Sequence, residues 1–461
     1  MLVLRLLRLE SRMIRCSSTA STSTAVFDFV TDLTKRDLIS ESYPAPLQGE
    51  HYANLKRLPP AIYAGFDPTA PSLHVGNLLI LLNLFRSSRF GCEPIALVGG
   101  ATALVGDPSG RTTDRDASKL HEALQNKDLI TRQIKRIWEN VQESRLLSGA
   151  RSELRFVDNA EWYEKMGLLE FLSLTRPLRI GEMLRTRAIK SRLEAGAGGG
   201  VSFPEFVYQS LQAYDWKRLA ELYACQFQLG GSDQLGHLDI GAHFIGRTLD
   251  KGAAGVCLPL LTDSNGQKLG KSTGGGGAWL DGKKTSPFHF YQLFHQLHDN
   301  DAVVMYKRCS LRATCDVESL VAEHSANLGK WIVQKTLARE MTQVVHGQEA
   351  VDMAETASRA LFYGSMSDVE SLPAEVLEDV FGRPIELRPD QVRTLGDLAD
   401  LTRTDKQKGS KLMKTGAFKM SGLKCLDASS PFTISSSTLS NAPSLTLVCW
   451  GKRNFQLVRW I

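Results

Sequence analysis

Short apolar runs alternate with longer segments of helical period through the first part of this chain. AIYAGF (61–66), PIALVGG (94–100) and LRFVDN (154–159) read as strands, while a Leu-rich segment opening near His74 and a longer one over 116–147 read as helices. That rhythm predicts an α/β fold built on a Rossmann-like, doubly wound parallel sheet. Ligands of such sheets bind beyond the carboxyl ends of the strands, and several polar clusters follow the apolar runs directly. From Ser286 to about Tyr363 the period is helical with almost no glycine, which predicts a separate α-helical domain. A stretch containing proline and acids then reads as a linker, and a basic segment opens a small α+β module. The expected organisation is a leader at 1–25, a sheet domain at 26–285, helices at 286–365, a linker at 366–389 and the terminal module at 390–461.

Length and charge sharpen this division. The chain has 461 residues, 43% of them hydrophobic, which excludes disorder throughout and suits about three domains. Its net charge of +5 is concentrated at two places. Arg5, Arg8, Arg12 and Arg15 face only Glu10 in the first segment, interleaved with leucines and followed by a Ser/Thr/Ala stretch. That is the composition of an amphipathic organelle-targeting peptide, and import into the mitochondrial matrix is expected. The arginines interrupt the apolar core that a secretory signal needs. Between residues 403 and 424, one arginine and six lysines stand against Asp405 alone. No apolar run reaches the roughly 18–20 residues of a membrane span. Eight scattered cysteines without a C-x-x-C pair suit a reducing compartment, and the scattered histidines predict no structural metal.

Five clusters carry candidate chemistry. YAGFDPTAPSLHVGN (63–77) joins a strand to a helix, with Ser72 as the expected N-cap; His74 and Gly76 open a helix whose N–H groups and dipole favour an anion such as the ATP phosphates. In ALVGGATALVGDPSGR, Asp107 sits in a turn after an apolar run, where it suits a substrate ammonium or simply the turn itself. Tyr208, Gln212 and Asp215 are spaced i, i+4 and i+7 within FPEFVYQSLQAYDW and share one helix face amid aromatic residues. In FQLGGSDQLGH, Asp233 and Gln234 follow a Gly-Gly-Ser turn, a position where an acid can bind ribose hydroxyls. Lys268, Lys271 and Ser272 lie in the glycine-rich loop GQKLGKSTGGGG, where two ammonium groups suit a triphosphate or a leaving pyrophosphate. A dinucleotide-binding G-x-G-x-x-G is absent.

Taken in order, the H-x-G-x and K-x-x-K-S elements resemble the signature motifs of class I aminoacyl-tRNA synthetases. YAGFDPTAPSLHVGN, IALVGGATALVGDPSG, YQSLQAYD, GGSDQLGH and KLGKS together resemble the bacterial-type tyrosyl-tRNA synthetases. The resemblance implies that Tyr63 and Asp215 bind the tyrosine phenol, that Asp107, Tyr208 and Gln212 hold its ammonium group, and that Gln234 lies near its carboxylate. It further implies that Gly65, Asp67, Gly76 and Gly231 line the ATP and adenylate site, with Asp233 on the ribose and Asn77 near it. Thr69 and His74 would stabilise the triphosphate in the transition state, and Lys268, Lys271 and Ser272 would close over pyrophosphate. ATP with Mg2+ is implied as substrate, with no tightly bound cofactor; L-tyrosine and tRNA(Tyr) are the other partners, and a homodimer is the implied assembly. Asn77 departs from the second histidine usual in this motif, and the loops at 194–202 and 271–279 are longer than the family's. The competing readings are an RNA-binding or splicing factor on a synthetase scaffold, and the related tryptophan enzyme.

Overall fold

The computed structural model describes residues 24–109, 120–149, 152–194, 200–262, 278–403, 409–420, 423–434, 437–439, 441–451 and 454–461. Its first sheet contains β1 (Glu41–Tyr43), β2 (Ala61–Phe66), β3 (Glu93–Val98), β4 (Arg155–Asp158), β5 (Phe227–Gly231) and β6 (Ala254–Leu258), in the order β1-β6-β5-β2-β3-β4. All neighbours are parallel except β1, which pairs antiparallel with the edge of β6. The central strands are covered on both faces, which is why AIYAGF and PIALVGG are nearly continuous apolar runs. From β2 the chain winds outward through β3 to β4, then returns to the other side of β2 as β5. The switch point of the sheet therefore lies between β2 and β5.

Helix Val75–Ser87 connects β2 to β3. Its N-cap is His74 and not the expected Ser72: the His74 Nδ1 accepts the Gly76 N–H at 3.0 Å, and Asn77 Oδ1 accepts the His74 N–H at 3.1 Å, closing a reciprocal capping box. Ser72 instead turns its hydroxyl onto the Leu73 carbonyl. At the other end of this helix, Arg86 is fully buried and donates to the Arg308 and Ser310 carbonyls. Arg36, the C-cap of helix Ala25–Lys35, donates to the Lys307, Ser310 and Arg312 carbonyls while pairing with Asp32 at 2.8 Å. Two guanidinium groups thus satisfy the carbonyls at the end of helix Asp299–Cys309, groups a helix terminus leaves without intrahelical partners. Ala25, placed in the leader by composition, is already the first residue of a buried helix.

Helices Pro287–His295, Asp299–Cys309, Thr314–Ala326, Ile332–His346 and Gln348–Tyr363 follow. Residues 366–389, expected as a linker, are folded: helices Met366–Glu370 and Ala374–Phe381 lead into β7 (Ile385–Leu387). β7 joins β8 (Phe418–Met420), β9 (Leu423–Lys424), β10 (Leu445–Trp450) and β11 (Asn454–Trp460) in a second sheet of order β7-β11-β10-β8-β9. Val376 and Leu377 share one buried cluster with Ala357, Ala360, Leu445, Leu447 and Leu457. This stretch is therefore part of the core that the second sheet closes. Part of the basic segment, 404–408 and 421–422, lies outside the described residues.

Candidate active site

A cavity of about 250 Å3 opens at the switch point, beyond the carboxyl ends of β2, β3 and β5. Thirteen residues singled out from the sequence line it: Tyr63, Gly65, Asp67, Thr69, His74, Asn77, Asp107, Tyr208, Gln212, Asp215, Gly231, Asp233 and Gln234. Gly76 is not on its wall; its N–H is spent on the His74 imidazole. Lys268, Lys271 and Ser272 lie outside the described residues. The i, i+4, i+7 stripe of helix Phe203–Leu222 faces the cavity, and Trp216 and Leu219 join the same helix to the core it shares with helix Leu235–Leu249.

At one end of the cavity Asp215 is buried, accepting from Asn159 Nδ2 at 3.0 Å and Trp162 Nε1 at 2.9 Å. Burial pushes its carboxyl up to about 7, against the opposing pull of its hydrogen-bond donors. The Tyr63 hydroxyl, on β2, donates to Gln228 Oε1 at 2.7 Å, and burial raises the phenol well above its ordinary range, so it stays protonated. These two groups form a polar end with an acceptor and a hydroxyl.

Asp107 stands across the cavity and is gripped by its neighbours. The Ser109 N–H and hydroxyl donate at 2.8 and 2.6 Å, Gln234 Nε2 donates at 3.0 Å, and His237 Nε2 lies 3.3 Å away. Burial would raise this carboxyl, but the His237 ring and the Ser109 donors outweigh it and hold the group well below the usual carboxylate range. It remains an anion. Tyr208 donates to Asp67 Oδ2 at 2.8 Å, Thr102 donates to Asp67 Oδ1 at 2.8 Å, and Gln212 Nε2 donates to Gln234 Oε1 at 3.1 Å. Asp67 reaches this position over Gly99, where a Cβ would stand 1.9 Å from its Oδ1. The third region is the end of helix Val75–Ser87. There Nδ1 of His74 is an acceptor, so in the neutral ring Nε2 carries the proton and can serve as a donor; Asn77, with Oδ1 committed to the cap, has its amide N–H2 as the group available for donation.

Sequence reasoning passed over Thr102, Asn159, Trp162, Gln228 and His237. Thr102 and Asn159 both follow strand-like runs, a position that could have nominated them; Gln228 and His237 gave no separate signal.

The arrangement offers an ionised carboxylate, a second buried acceptor lining the same cavity, and a helix end with hydrogen-bond donors. Comparison with known proteins assigns the frame that carries it. The family of class I tRNA synthetases for tryptophan and tyrosine matches residues 55–363. The mitochondrial tyrosine–tRNA ligase of Drosophila melanogaster is 38% identical over 413 residues, covering 87% of this chain and 87% of that relative. The mitochondrial tyrosine–tRNA ligase of Homo sapiens is 35% identical over 410 residues, covering 87% and 84%. A C-terminally truncated mitochondrial tyrosyl-tRNA synthetase from Aspergillus nidulans superimposes with a TM-score of 0.62 at 29% identity, over 72% of this chain and 94% of that one. With a family match over more than half its length and relatives of this identity over most of it, the chain belongs to the tyrosine branch of the class I aminoacyl-tRNA synthetases, alongside the mitochondrial tyrosine–tRNA ligases.

Proposed function

We infer that this chain is a tyrosine–tRNA ligase of mitochondria, acting in the matrix, that activates tyrosine with ATP and transfers it to tRNA(Tyr). The observation that carries the reading is the cavity itself: an acceptor, Asp215, and a donor hydroxyl, Tyr63, at one end, and the ionised Asp107 with Tyr208, Gln212 and Gln234 at the other. A phenol fits the first and an ammonium the second. In this assignment the tyrosine hydroxyl donates to Asp215, and Tyr63 exchanges Gln228 for the ligand oxygen. Gln234 lies near the carboxylate. Gly65, Asp67 and Gly231 line the adenylate, Asp233 takes the ribose and Asn77 lies near it. ATP enters as its magnesium complex.

In the first step a tyrosine carboxylate oxygen attacks the α-phosphorus, and the bond to the β-phosphate oxygen breaks, releasing pyrophosphate and leaving tyrosyl-adenylate. No protein nucleophile takes part. The work falls to positioning and to donors aimed at the charge that develops on phosphate oxygens: His74 Nε2–H, the Thr69 hydroxyl and the ammonium groups of Lys268 and Lys271, with Ser272 beside them. In the second step a hydroxyl of the terminal tRNA ribose attacks the acyl carbon and AMP leaves. A scaffold retained for RNA binding alone is not favoured, since none of these side chains would then be needed together.

Tyrosine-dependent exchange between ATP and pyrophosphate tests the reading, with phenylalanine and tryptophan as controls. Exchange with tyrosine alone is expected; folded protein that binds ATP but gives no exchange would overturn it. The raised carboxyl of Asp215 adds a pH signature. A carboxylate accepts the phenol proton better than the neutral acid does, so tyrosine KM should fall as pH rises through about 7. Asp107, ionised throughout that window, contributes no dependence there. Asp215→Asn should flatten the profile, and a variant profile with the same inflection would assign it elsewhere.

A homodimer accords with helix Leu168–Leu174, which has no buried residue and displays Leu168, Leu169 (81% exposed) and Leu172, followed by exposed Ile180. A contiguous apolar segment of this kind is costly to leave in water, and a second copy would cover it.

A further inference from the structure

His237 belongs to none of the roles above, yet it is buried against two of the residues that carry them. It lies in the first turn of helix Leu235–Leu249 and is 3% exposed. Its Nε2 is 3.3 Å from Asp107 Oδ1, and its ring meets Tyr208 edge-on, centroids 5.7 Å apart with the planes at 72°. Among the described residues neither ring nitrogen makes a well-aligned hydrogen bond, and the approach of Nε2 to Asp107 is its one close polar contact. A buried imidazole in that state is costly to maintain unless it serves its one polar neighbour.

We propose that His237 is a positioning residue for the amino group of tyrosine: it donates from Nε2 to Asp107 Oδ1 and supports the Tyr208 ring, fixing both against the incoming ammonium. The proposal rests on the assignment of Asp107 and Tyr208 to that ammonium. Asp107 must stay ionised and in place in the empty site, where no ammonium balances it. Ser109 supplies donors from the turn and Gln234 from the N-cap of helix Leu235–Leu249, while the His237 ring reaches Asp107 from within that helix. Because the helix also packs on helix Phe203–Leu222, one ring ties the position of Asp107 to that of Tyr208.

The test compares L-tyrosine with its desamino analogue, 3-(4-hydroxyphenyl)propionate, in binding and exchange assays on the full chain. For His237→Ala, affinity for tyrosine should fall about tenfold or more, the loss expected for a hydrogen bond to a charged group, while affinity for the desamino analogue and the KM for ATP stay within about twofold. His237→Gln, whose amide nitrogen can reach the place of Nε2, should recover most of the loss; His237→Asn, one methylene shorter, should not. Equal weakening of both ligands, or no weakening of either, overturns the proposal. Should His237→Ala not fold, the Gln and Asn variants decide it: equal tyrosine affinities in those two overturn it. Asp107→Ala is the control on the underlying assignment. If that variant does not itself separate tyrosine from the desamino analogue, the assignment of Asp107 fails; if it does and the His237 variants do not, only the role of His237 fails.

Discussion

Replacing Asp215 by alanine is expected to cut the preference for tyrosine over phenylalanine by about 10–10²-fold or more, the worth of a hydrogen bond to a charged group. Tyrosine enzymes are themselves the standing instance of a site that rejects the analogue lacking its hydroxyl by about 10⁵ without editing, so the starting value is the family's and the change is what this chain's geometry predicts. Two effects add. Tyrosine loses the acceptor of its phenol proton. Phenylalanine is no longer penalised for burying a carboxyl without a ligand partner, because the carboxyl is gone. Asn159 Nδ2 and Trp162 Nε1, which now donate to Asp215, are left facing a cavity, and each stranded donor costs about 1–3 kcal/mol, so kcat/KM for tyrosine falls as well. The measurement is kcat/KM for both amino acids in pyrophosphate exchange. Discrimination that survives intact would mean that the phenol is read elsewhere.

The second large effect is expected at His74. Removing one preorganised donor from a site of developing charge typically costs about 10²–10³ in kcat, and His74→Ala should lose that much in adenylate formation. It should also lose stability, since His74 caps helix Val75–Ser87; loss of a cap costs about 1 kcal/mol. The two losses can be separated. Asparagine is among the best N-cap residues, so His74→Asn should recover the melting temperature of the parent while remaining slow. A variant that is restored in both would show that His74 matters only as a cap.

The sheet was legible because its strands are buried on both faces: AIYAGF and PIALVGG cannot be mistaken for half-exposed strands. The stripe of Tyr208, Gln212 and Asp215 was legible because helical spacing alone puts those three on one face, and the aromatic residues around it marked that face as covered. Their roles came from resemblance, not from spacing. The misread N-cap had a local cause: serine is the usual capping residue, and nothing in HVGN announces that an imidazole nitrogen and the Asn77 amide close a box instead. Residues 366–389 failed for a different reason. The partners of Val376, Leu377 and Leu387 stand dozens of positions further along, in β10 and β11, so no window of sequence contains both sides of the contact. Gln228 and His237 were invisible on the same ground. Each acquires meaning only through the register of β2 on β5 or the crossing of two helices.

Helix Val75–Ser87 also sets a constraint that residue identity does not express. His74 at its start lines the cavity, and Arg86, twelve positions on, is locked to the Arg308 and Ser310 carbonyls at the end of helix Asp299–Cys309. At about 1.5 Å and 100° per residue, one insertion or deletion between them would swing the guanidinium off its acceptors or pull the His74 turn from the cavity. The apolar side chains in between can exchange for others of similar volume, but their number cannot change. This segment is gauged by length and phase, like a ruler with a fitting at each end.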